Sequence, residues 1–371
     1  MKAWNEIFKQ LISIFGISGE IKSVEVVSNG HINTTYDVTV NADGENRRYI
    51  FQKLNIFVFR EPEKIMENID RVTNYISEKL EATGKDRNGV MHFLHTADGK
   101  NHFSQEDGFW RISEYVENTV TLNSCEDLGA LRSAGYAFGS FQVMLSDFDA
   151  SLLHETIPNF HNTRMRFATL FSHVEEDPCG RVSSVRKEID ALRSMQERAT
   201  YLCDLVDSGM LPLRVTHNDT KINNVLFDKE TKKAKTVIDL DTVMPGLVSH
   251  DFGDAIRFAA NYAAEDEKDL SLVGLDIERF RAFAEGFVRK VAGIITPTEK
   301  ETMALGAFVM TAECAARFLD DYITGDHYFK THYEGQNLVR ARCQIKLAQD
   351  MLSRMDEMNA IIEQIASSAT K

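Results

Sequence analysis

Val215-Thr-His-Asn-Asp-Thr-Lys-Ile-Asn-Asn-Val-Leu-Phe-Asp228 gathers a histidine, two carboxylates, a lysine and amides around one short loop. Val225-Leu-Phe227 reads as a strand, Lys229–Lys233 as a turn and Thr236-Val-Ile-Asp-Leu240 as a second strand. The loop therefore feeds a hairpin that returns Asp239 close to Asp219 and Asn224. Two carboxylates and an amide oxygen are the oxygen ligands and base that Mg²⁺-dependent phosphoryl transfer requires. An isolated Asn/Asp-rich turn would only cap backbone groups. The ordered pattern His217-x-Asp219-x-Lys221-x-x-Asn224, then a hairpin, then Ile238-Asp239, argues for more than a turn.

Upstream of this stretch the chain changes character. Trp4, Ile7, Phe8, Leu11 and Phe15 fall on one face of an opening helix, and from about Val24 to Ile112 the pattern is that of strands. Tyr36, Val38 and Val40 alternate with polar neighbours, Tyr49-Ile-Phe51 forms a second strand and Phe109-Trp-Arg-Ile112 a later one. One strong helix lies between them, with Ile65, Ile69, Val72, Ile76 and Leu80 at helical spacing. Beyond roughly Asn118 most segments are helical, and Leu347, Met351, Met355, Met358, Ile362 and Ile365 read as the stripe of a single last helix. The expected fold class is α+β, with a small β-rich lobe over residues 1–115 and a larger, mainly helical lobe over residues 116–371.

Charge narrows the partners. The 371 residues carry 42 Lys or Arg against 56 Asp or Glu, a formal charge of −14, so the cationic footprint of a nucleic-acid or anionic-membrane binder is missing. No nucleic acid and no membrane is expected as a partner. The longest uncharged run, Ser133–Ser146, is too short and too polar to span a bilayer, and Lys2, Glu6 and Lys9 interrupt the opening segment, so it does not read as a signal peptide. Cys125, Cys179, Cys203, Cys314 and Cys343 are scattered without a CxxC pair, which argues against a disulfide framework or a zinc site and for a cytoplasmic setting.

With these motifs the sequence resembles the protein-kinase-like superfamily, and within it the aminoglycoside phosphotransferase and choline kinase family. The family's His-x-Asp-x-x-x-x-Asn pattern is matched by His217, Asp219 and Asn224, and its metal-binding Asp by Asp239, 239 − 219 = 20 residues after the base. The resemblance implies a protein-kinase-like two-lobed fold that uses ATP as phosphoryl donor and Mg²⁺. By it Asp219 orients or deprotonates the acceptor hydroxyl, Asn224 and Asp239 hold the metal, and Lys221 offsets charge on the transferred group. Asn218 stands where Gly is frequent in the wider family. Asp251-Phe-Gly253 spells the protein-kinase metal motif, but it lies 251 − 219 = 32 residues after the base, with no evident strand before it and helix-like sequence after it. Asp251 is accordingly read as a buried carboxylate bracing the catalytic loop.

In such a fold the first lobe supplies the nucleotide contacts. Asn29-Gly-His-Ile-Asn-Thr-Thr35 sits between two strand-like runs, where kinases place a phosphate-covering loop. Gly30 permits close backbone approach, and Asn33 or Thr34 donates to a phosphate. Lys53, ending its strand, is the expected phosphate-contacting lysine, and Glu67, 67 − 53 = 14 residues later, its ion-pair partner. Ile112-Ser-Glu-Tyr-Val116 reads as the lobe-joining hinge, where Glu114 and Val116 offer backbone groups to adenine.

Longer runs resemble the N-acetylhexosamine 1-kinase branch of that family. They are Tyr49-Ile-Phe-Gln-Lys-Leu-Asn55, Ile157-Pro-Asn-Phe-His-Asn-Thr163, Asp239-Leu-Asp-Thr-Val-Met-Pro-Gly246 and Arg317-Phe-Leu-Asp-Asp-Tyr-Ile-Thr-Gly-Asp-His-Tyr328. In that branch an Arg and a Tyr at the spacing of Arg317 and Tyr328 bind sugar hydroxyls; Asp241 is assigned to the acceptor site with them. An Arg fork and a phenol suit a polyhydroxylated ligand. From the residues alone Arg317 is equally an ion-pair partner for Asp320 or Asp321 on one helix surface. The resulting expectation is an ATP- and Mg²⁺-dependent sugar 1-kinase acting on an N-acetylhexosamine or related sugar, as a monomer or small homo-oligomer. The alternatives are a choline- or aminoglycoside-type small-molecule kinase and a non-catalytic kinase-fold binding protein.

Overall fold

Period-two alternation in the first third of the chain becomes a sheet with two unlike faces. In the computed structural model, which describes residues 2–27, 32–106, 108–122 and 126–369, helix α1 (Lys2–Ile14) precedes strands β1 (Glu20–Val27), β2 (Thr34–Ala42) and β3 (Glu45–Leu54). Helix α2 (Pro62–Ala82), β4 (Phe103–Gln105) and β5 (Gly108–Glu114) follow. The five strands form an antiparallel sheet in the order β1-β2-β3-β5-β4. On one face Phe8, Leu11 and Phe15 pack against Tyr36, Val38, Val40, Phe51, Trp110 and Ile112 as a separate small core. On the other, Leu54 and Phe109 join Ile65, Met66 and Ile69 of α2 in the large core, which is continuous with that of the helical lobe. Strand residues alternate between these faces, so a one-residue step decides whether a side chain meets α1 or the space between the lobes.

The second lobe is built of helices around two small sheets. Strands β6 (Thr119–Val120), β8 (Val225–Asp228) and β9 (Ala234–Val237) make one sheet, and β7 (Arg214–Thr216) pairs with β10 (Met244–Gly246) in the other. Helices α3 (Leu128–Met144), α4 (Thr163–Glu176), α5 (Arg186–Asp207), α6 (Val248–Ala259), α7 (Ile277–Val291), α8 (Pro297–Glu301) and α9 (Met303–Thr324) surround them. Most of α9 is buried, and α6 crosses it in close backbone contact. A Cβ on Gly253 would lie 2.3 Å from the Gly306 carbonyl oxygen, and one on Gly306 would lie 2.2 Å from that of Ser249. Gly253 is thus a helix-packing residue, and the Asp251-Phe-Gly253 run lies inside α6.

Two expectations need correction. The apolar stripe at the end of the chain spans two helices, α10 (Gln336–Ser353) and α11 (Met355–Ala369), with Arg354 capping the first through its amide. All six stripe residues are buried, so the period was right and only the break, unmarked by Gly or Pro, went unseen. The segment before Asp251 does hold a strand, the three-residue β10. Among the described residues no helix is long and apolar enough to cross a membrane.

Candidate active site

The candidate catalytic loop leaves β7, passes through a 3₁₀ turn at Ile222–Asn224 and enters β8. Lys221 Nζ lies 2.8 Å from Asp219 Oδ1. Asn224 Nδ2 donates to the Asp219 carbonyl (2.8 Å) and to its Oδ2 (3.1 Å). Burial pushes the Asp219 carboxyl up, but Lys221, His217 and Asn224 outweigh it and hold the group below the ordinary carboxylate range. Lys221 is raised by the Asp219 charge, so both stay ionised. His217 is structural: its Nε2 donates to the Ile238 carbonyl (2.9 Å), and its Nδ1 accepts the Asp219 amide (3.2 Å). It stitches the loop to the strand leading into Asp239.

Asn218 explains its own departure from the family pattern. Its φ is +63°, a left-handed conformation that glycine adopts freely and asparagine tolerates. Its Oδ1 accepts from Thr216 Oγ1 (2.9 Å), and its Nδ2 donates to the Thr242 carbonyl (3.0 Å), so the side chain adds bonds that glycine lacks. Asp251 accepts from the amides of His217 (2.9 Å) and Asn218 (2.7 Å) and from Gln142 Nε2 (2.6 Å), which makes it the brace read from the sequence. Asp254, one helix turn on, accepts the Thr220 amide (3.0 Å), a second brace the sequence did not single out.

The hairpin brings Asp239 back as expected, through an Ile238 amide donating to the Asn224 carbonyl at 2.9 Å. Asp239 itself has φ +61° and a solvent-reached carboxylate with no hydrogen-bond or ion-pair partner among the described residues. Crowding by protein and the charges of Asp241 and Asp219 push its pKa up to about 7. Asn224 Oδ1 likewise accepts no hydrogen bond among the described residues. An unpartnered carboxylate with a raised pKa, on a strand end tied by its neighbour's amide to Asn224, fits a hard divalent cation, which would relieve the charge crowding. Among the described residues no three His, Cys, Asp or Glu side chains gather as a metal cage. A cation here would therefore draw most of its ligands from phosphates and water, the usual habit of Mg²⁺.

The first-lobe residues are placed less as expected. Gly30 lies outside the described residues. Thr34 opens β2 opposite Lys53. Asn33 bridges the lobes, donating to Asp241 Oδ2 (2.7 Å) and accepting the Asn55 amide (3.0 Å) at Oδ1. Lys53 and Glu67 are not brought together. Lys53 shares its strand face with Phe51, and its Nζ sits 5.9 Å from the Trp110 ring centroid, on the α1 side. Glu67 turns outward to His154 (2.7 Å) and Arg71 (3.6 Å). Asp241 does not line the Arg317 pocket; it is buried against Arg111 and Asn33. At the hinge the Glu114 amide donates to the His92 carbonyl (2.9 Å), while the Val116 carbonyl accepts from Thr119 Oγ1 (2.6 Å).

Arg317 and Tyr328 do meet, with Nη2 to Oη at 3.4 Å, in a cavity of about 290 Å³. The guanidinium lies 5.5–5.7 Å from the ring centroids of Phe160, Tyr328 and Phe329. It forms no ion pair with Asp320 or Asp321. Asp320 binds His173 Nδ1 (2.6 Å), and Asp321 is saturated by the amides of His327, Tyr328 and Phe329 and by Asn337. Arg166, missed in the sequence, shares the cavity and donates to the Phe160 carbonyl; burial and the Arg317 charge lower its pKa. His161, next to Phe160, faces Glu313 Oε1 (2.9 Å) with Nδ1 and the Asn218 carbonyl (3.2 Å) with Nε2. One loop thus touches both the cavity and the catalytic loop, a link that only tertiary structure could reveal.

This arrangement has counterparts among solved structures. A microcompartment-associated aminopropanol kinase superposes with a TM-score of 0.60 at 16% identity, covering 95% of this chain and 98% of that one. An aminoglycoside phosphotransferase from Alicyclobacillus acidocaldarius gives 0.57 at 11% identity over 94% and 93% of the two chains. A choline kinase from Cryptosporidium parvum gives 0.52 at 14% over 93% of each. At such identities the likeness establishes the fold, a protein-kinase-like pair of lobes. The sequence itself matches the profile of the phosphotransferase enzyme family, APH, across residues 23–283, more than half its length, and the chain belongs to that family.

Proposed function

We propose that the protein transfers the terminal phosphoryl group of ATP to the anomeric hydroxyl of an N-acetylhexosamine or a closely related sugar. The nucleotide would lie between the lobes, with its purine at the Glu114–Val116 hinge and its phosphates above Asp239. Mg²⁺ held by Asp239 and Asn224 would supply charge neutralisation at the phosphates. Asp219, kept ionised by Lys221, orients the acceptor hydroxyl and takes its proton as the bond to phosphorus forms. A carboxylate of lowered pKa is a weak base, which suits a loose transition state in which the hydroxyl proton leaves late. Lys221 stands ready to offset charge on the group in flight.

The observation that carries the sugar reading is the Arg317–Tyr328 pair, ringed by aromatic side chains, in a cavity where Asp321 is saturated and Asp320 is bonded to His173 through one oxygen. A choline- or ethanolamine-like acceptor needs a carboxylate or an open aromatic cage for its cation. Here its ammonium would meet Arg317 and Arg166 instead. A sugar offers hydroxyls to the guanidinium and phenol and an apolar ring face to Phe160 and Tyr328. A coupled ADP-release screen over neutral N-acetylhexosamines, free hexoses, choline, ethanolamine and aminoglycosides tests the choice. Turnover should concentrate on the N-acetylhexosamines; turnover confined to the cationic alcohols would overturn the reading.

A further inference from the structure

The structure departs from the sequence expectation at one point that matters for the nucleotide. Lys53 points to the α1 side of the sheet, so at this end of β3 the inward residue is Gln52, between Phe51 and Lys53; Arg48, further along the same face, is engaged by Asp37 and Glu117. Directly opposite Gln52 in the β3–β5 register stands Arg111. Arg111 Nε donates to Gln52 Oε1 at 2.9 Å, and Gln52 Nε2 reaches Thr35 Oγ1 at 3.2 Å. Arg111 Nη1 is paired with Asp241 Oδ1, and both side chains are almost fully buried (2% and 3% exposed). Arg111 Nη2 has no hydrogen-bond partner among the described residues. Asp241 is two residues beyond Asp239 and is gripped from the same side by Asn33.

We propose that Arg111, on β5, is the nucleotide-phosphate cation of this enzyme, held in place by Gln52 and Asp241. It does the work expected of a lysine on β3, and Asp241 does the work expected of an α2 glutamate. A fixed guanidinium with one free N–H edge and a buried carboxylate behind it is pre-organised for an anionic oxygen. Pairing from the catalytic side also differs from a lysine–helix pair: the cation that meets the phosphates is tied to the same turn as the candidate metal ligand. The proposal rests on the nucleotide reading of the cleft and is independent of which alcohol accepts the phosphate.

The test compares ADP with adenosine, by calorimetric titration of the full chain with and without Mg²⁺. Adenosine shares the purine and ribose but carries no phosphate. Arg111→Lys and Arg111→Gln should weaken ADP binding by roughly ten- to hundredfold, as expected for losing charge-assisted hydrogen bonds, while adenosine binding stays within about twofold. Lys53→Ala should leave both unchanged. Combining Gln52→Lys with Arg111→Gln moves the cation across the pair to β3 and should restore part of the ADP preference, which keeps the test decisive if a single variant misfolds. Equal loss of ADP and adenosine binding would make Arg111 a mere brace between the lobes and overturn the proposal. Loss of the ADP preference in Lys53→Ala, or its persistence in both Arg111 variants, would also overturn it. A wild type that does not prefer ADP to adenosine would overturn the nucleotide reading of the cleft, and the proposal with it.

Discussion

The candidate catalytic loop and the sheet face above it build the proposed nucleotide cleft by opposite means. From His217 to Asp239 the important groups come from one continuous stretch, and its bonds are short-range: Asp219 to Lys221 and Asn224, His217 to Ile238. On the first-lobe side Asn33, Gln52 and Arg111 come from three separate places and meet one another and Asp241, in the turn after Asp239, only through strand pairing and lobe contact. A site written in consecutive residues is robust to how the rest of the chain packs. A site written across strands depends on face, because a single-residue step moves a cation from the cleft to the α1 side.

If the catalytic stretch is the chemical half of the cleft, its variants should lose turnover before anything else. Asp219→Asn should lower kcat by about 10²–10⁴-fold, with nucleotide affinity and melting temperature preserved. A loss below about tenfold would remove Asp219 from the base role. The two nearby carboxylates should then separate cleanly. Asp251→Ala strands two buried amides and Gln142, at about 1–3 kcal/mol each, and should show first as a lower melting temperature. Asp239→Ala should instead abolish the stabilisation by Mg·ATP while leaving the ligand-free fold intact. Its carboxyl is raised towards 7, so ionisation opposes folding. What it contributes is present below the unfolded value and is lost as pH rises through about 7, and metal binding should strengthen over that same window. If Mg·ATP still stabilised the Asp239 variant and failed to stabilise the Asp251 variant, the roles would be reversed.

Much of this was legible in the sequence, for stated reasons. The hairpin geometry followed from short strands flanking an Asx-rich turn, and the Asp251 brace from its helix-like setting. The lobes followed from a change of hydrophobic period. Lys53 was misplaced in the cleft because its spacing to the next helix was read without following alternation from Phe51, which packs towards α1. That signal was present, since Phe51 and Lys53 are two apart. His161 stood inside the quoted run Ile157–Thr163 without a role of its own, and Glu313 and Arg166 carried no local signal; their roles show only where the chain brings Phe160 against Arg317 and His161 against Glu313.

The proposed acceptor cavity gives a smaller, sharper contrast with the nucleotide side. Arg317→Ala should raise the sugar KM by about ten- to a hundredfold with ATP KM nearly unchanged, because a guanidinium bonded to sugar oxygens loses charge-assisted bonds. Arg317→Lys should recover little of it, since an ammonium cannot reproduce the planar fork. A variant impaired for ATP alone would move Arg317 out of the acceptor site. The smallest effect expected concerns acid stability. Buried His250, beside His161, is pushed down to about 3 by desolvation and the His161 charge. Its neutral form is kept in the fold, so stability should fall as pH drops below about 6.5, by up to about 1.4 kcal/mol per pH unit towards 3. His250→Asn should flatten that slope between pH 6 and 5, before Glu313, held down to about 2, begins to matter. An unchanged slope would exclude His250 as its source.

The reaction itself is tested most directly by the position of the new phosphate. N-acetylglucosamine or N-acetylgalactosamine labelled with ¹⁸O at the anomeric oxygen is incubated with Mg·ATP and the wild-type chain, and the product is followed by phosphorus NMR. The expected product is a sugar 1-phosphate that keeps the label in its ester bridge, shows the isotope-shifted phosphorus signal and no longer reduces copper reagents. A product that still reduces copper, or a phosphorus signal that appears only with choline or an aminoglycoside, would contradict phosphoryl transfer to an anomeric hydroxyl.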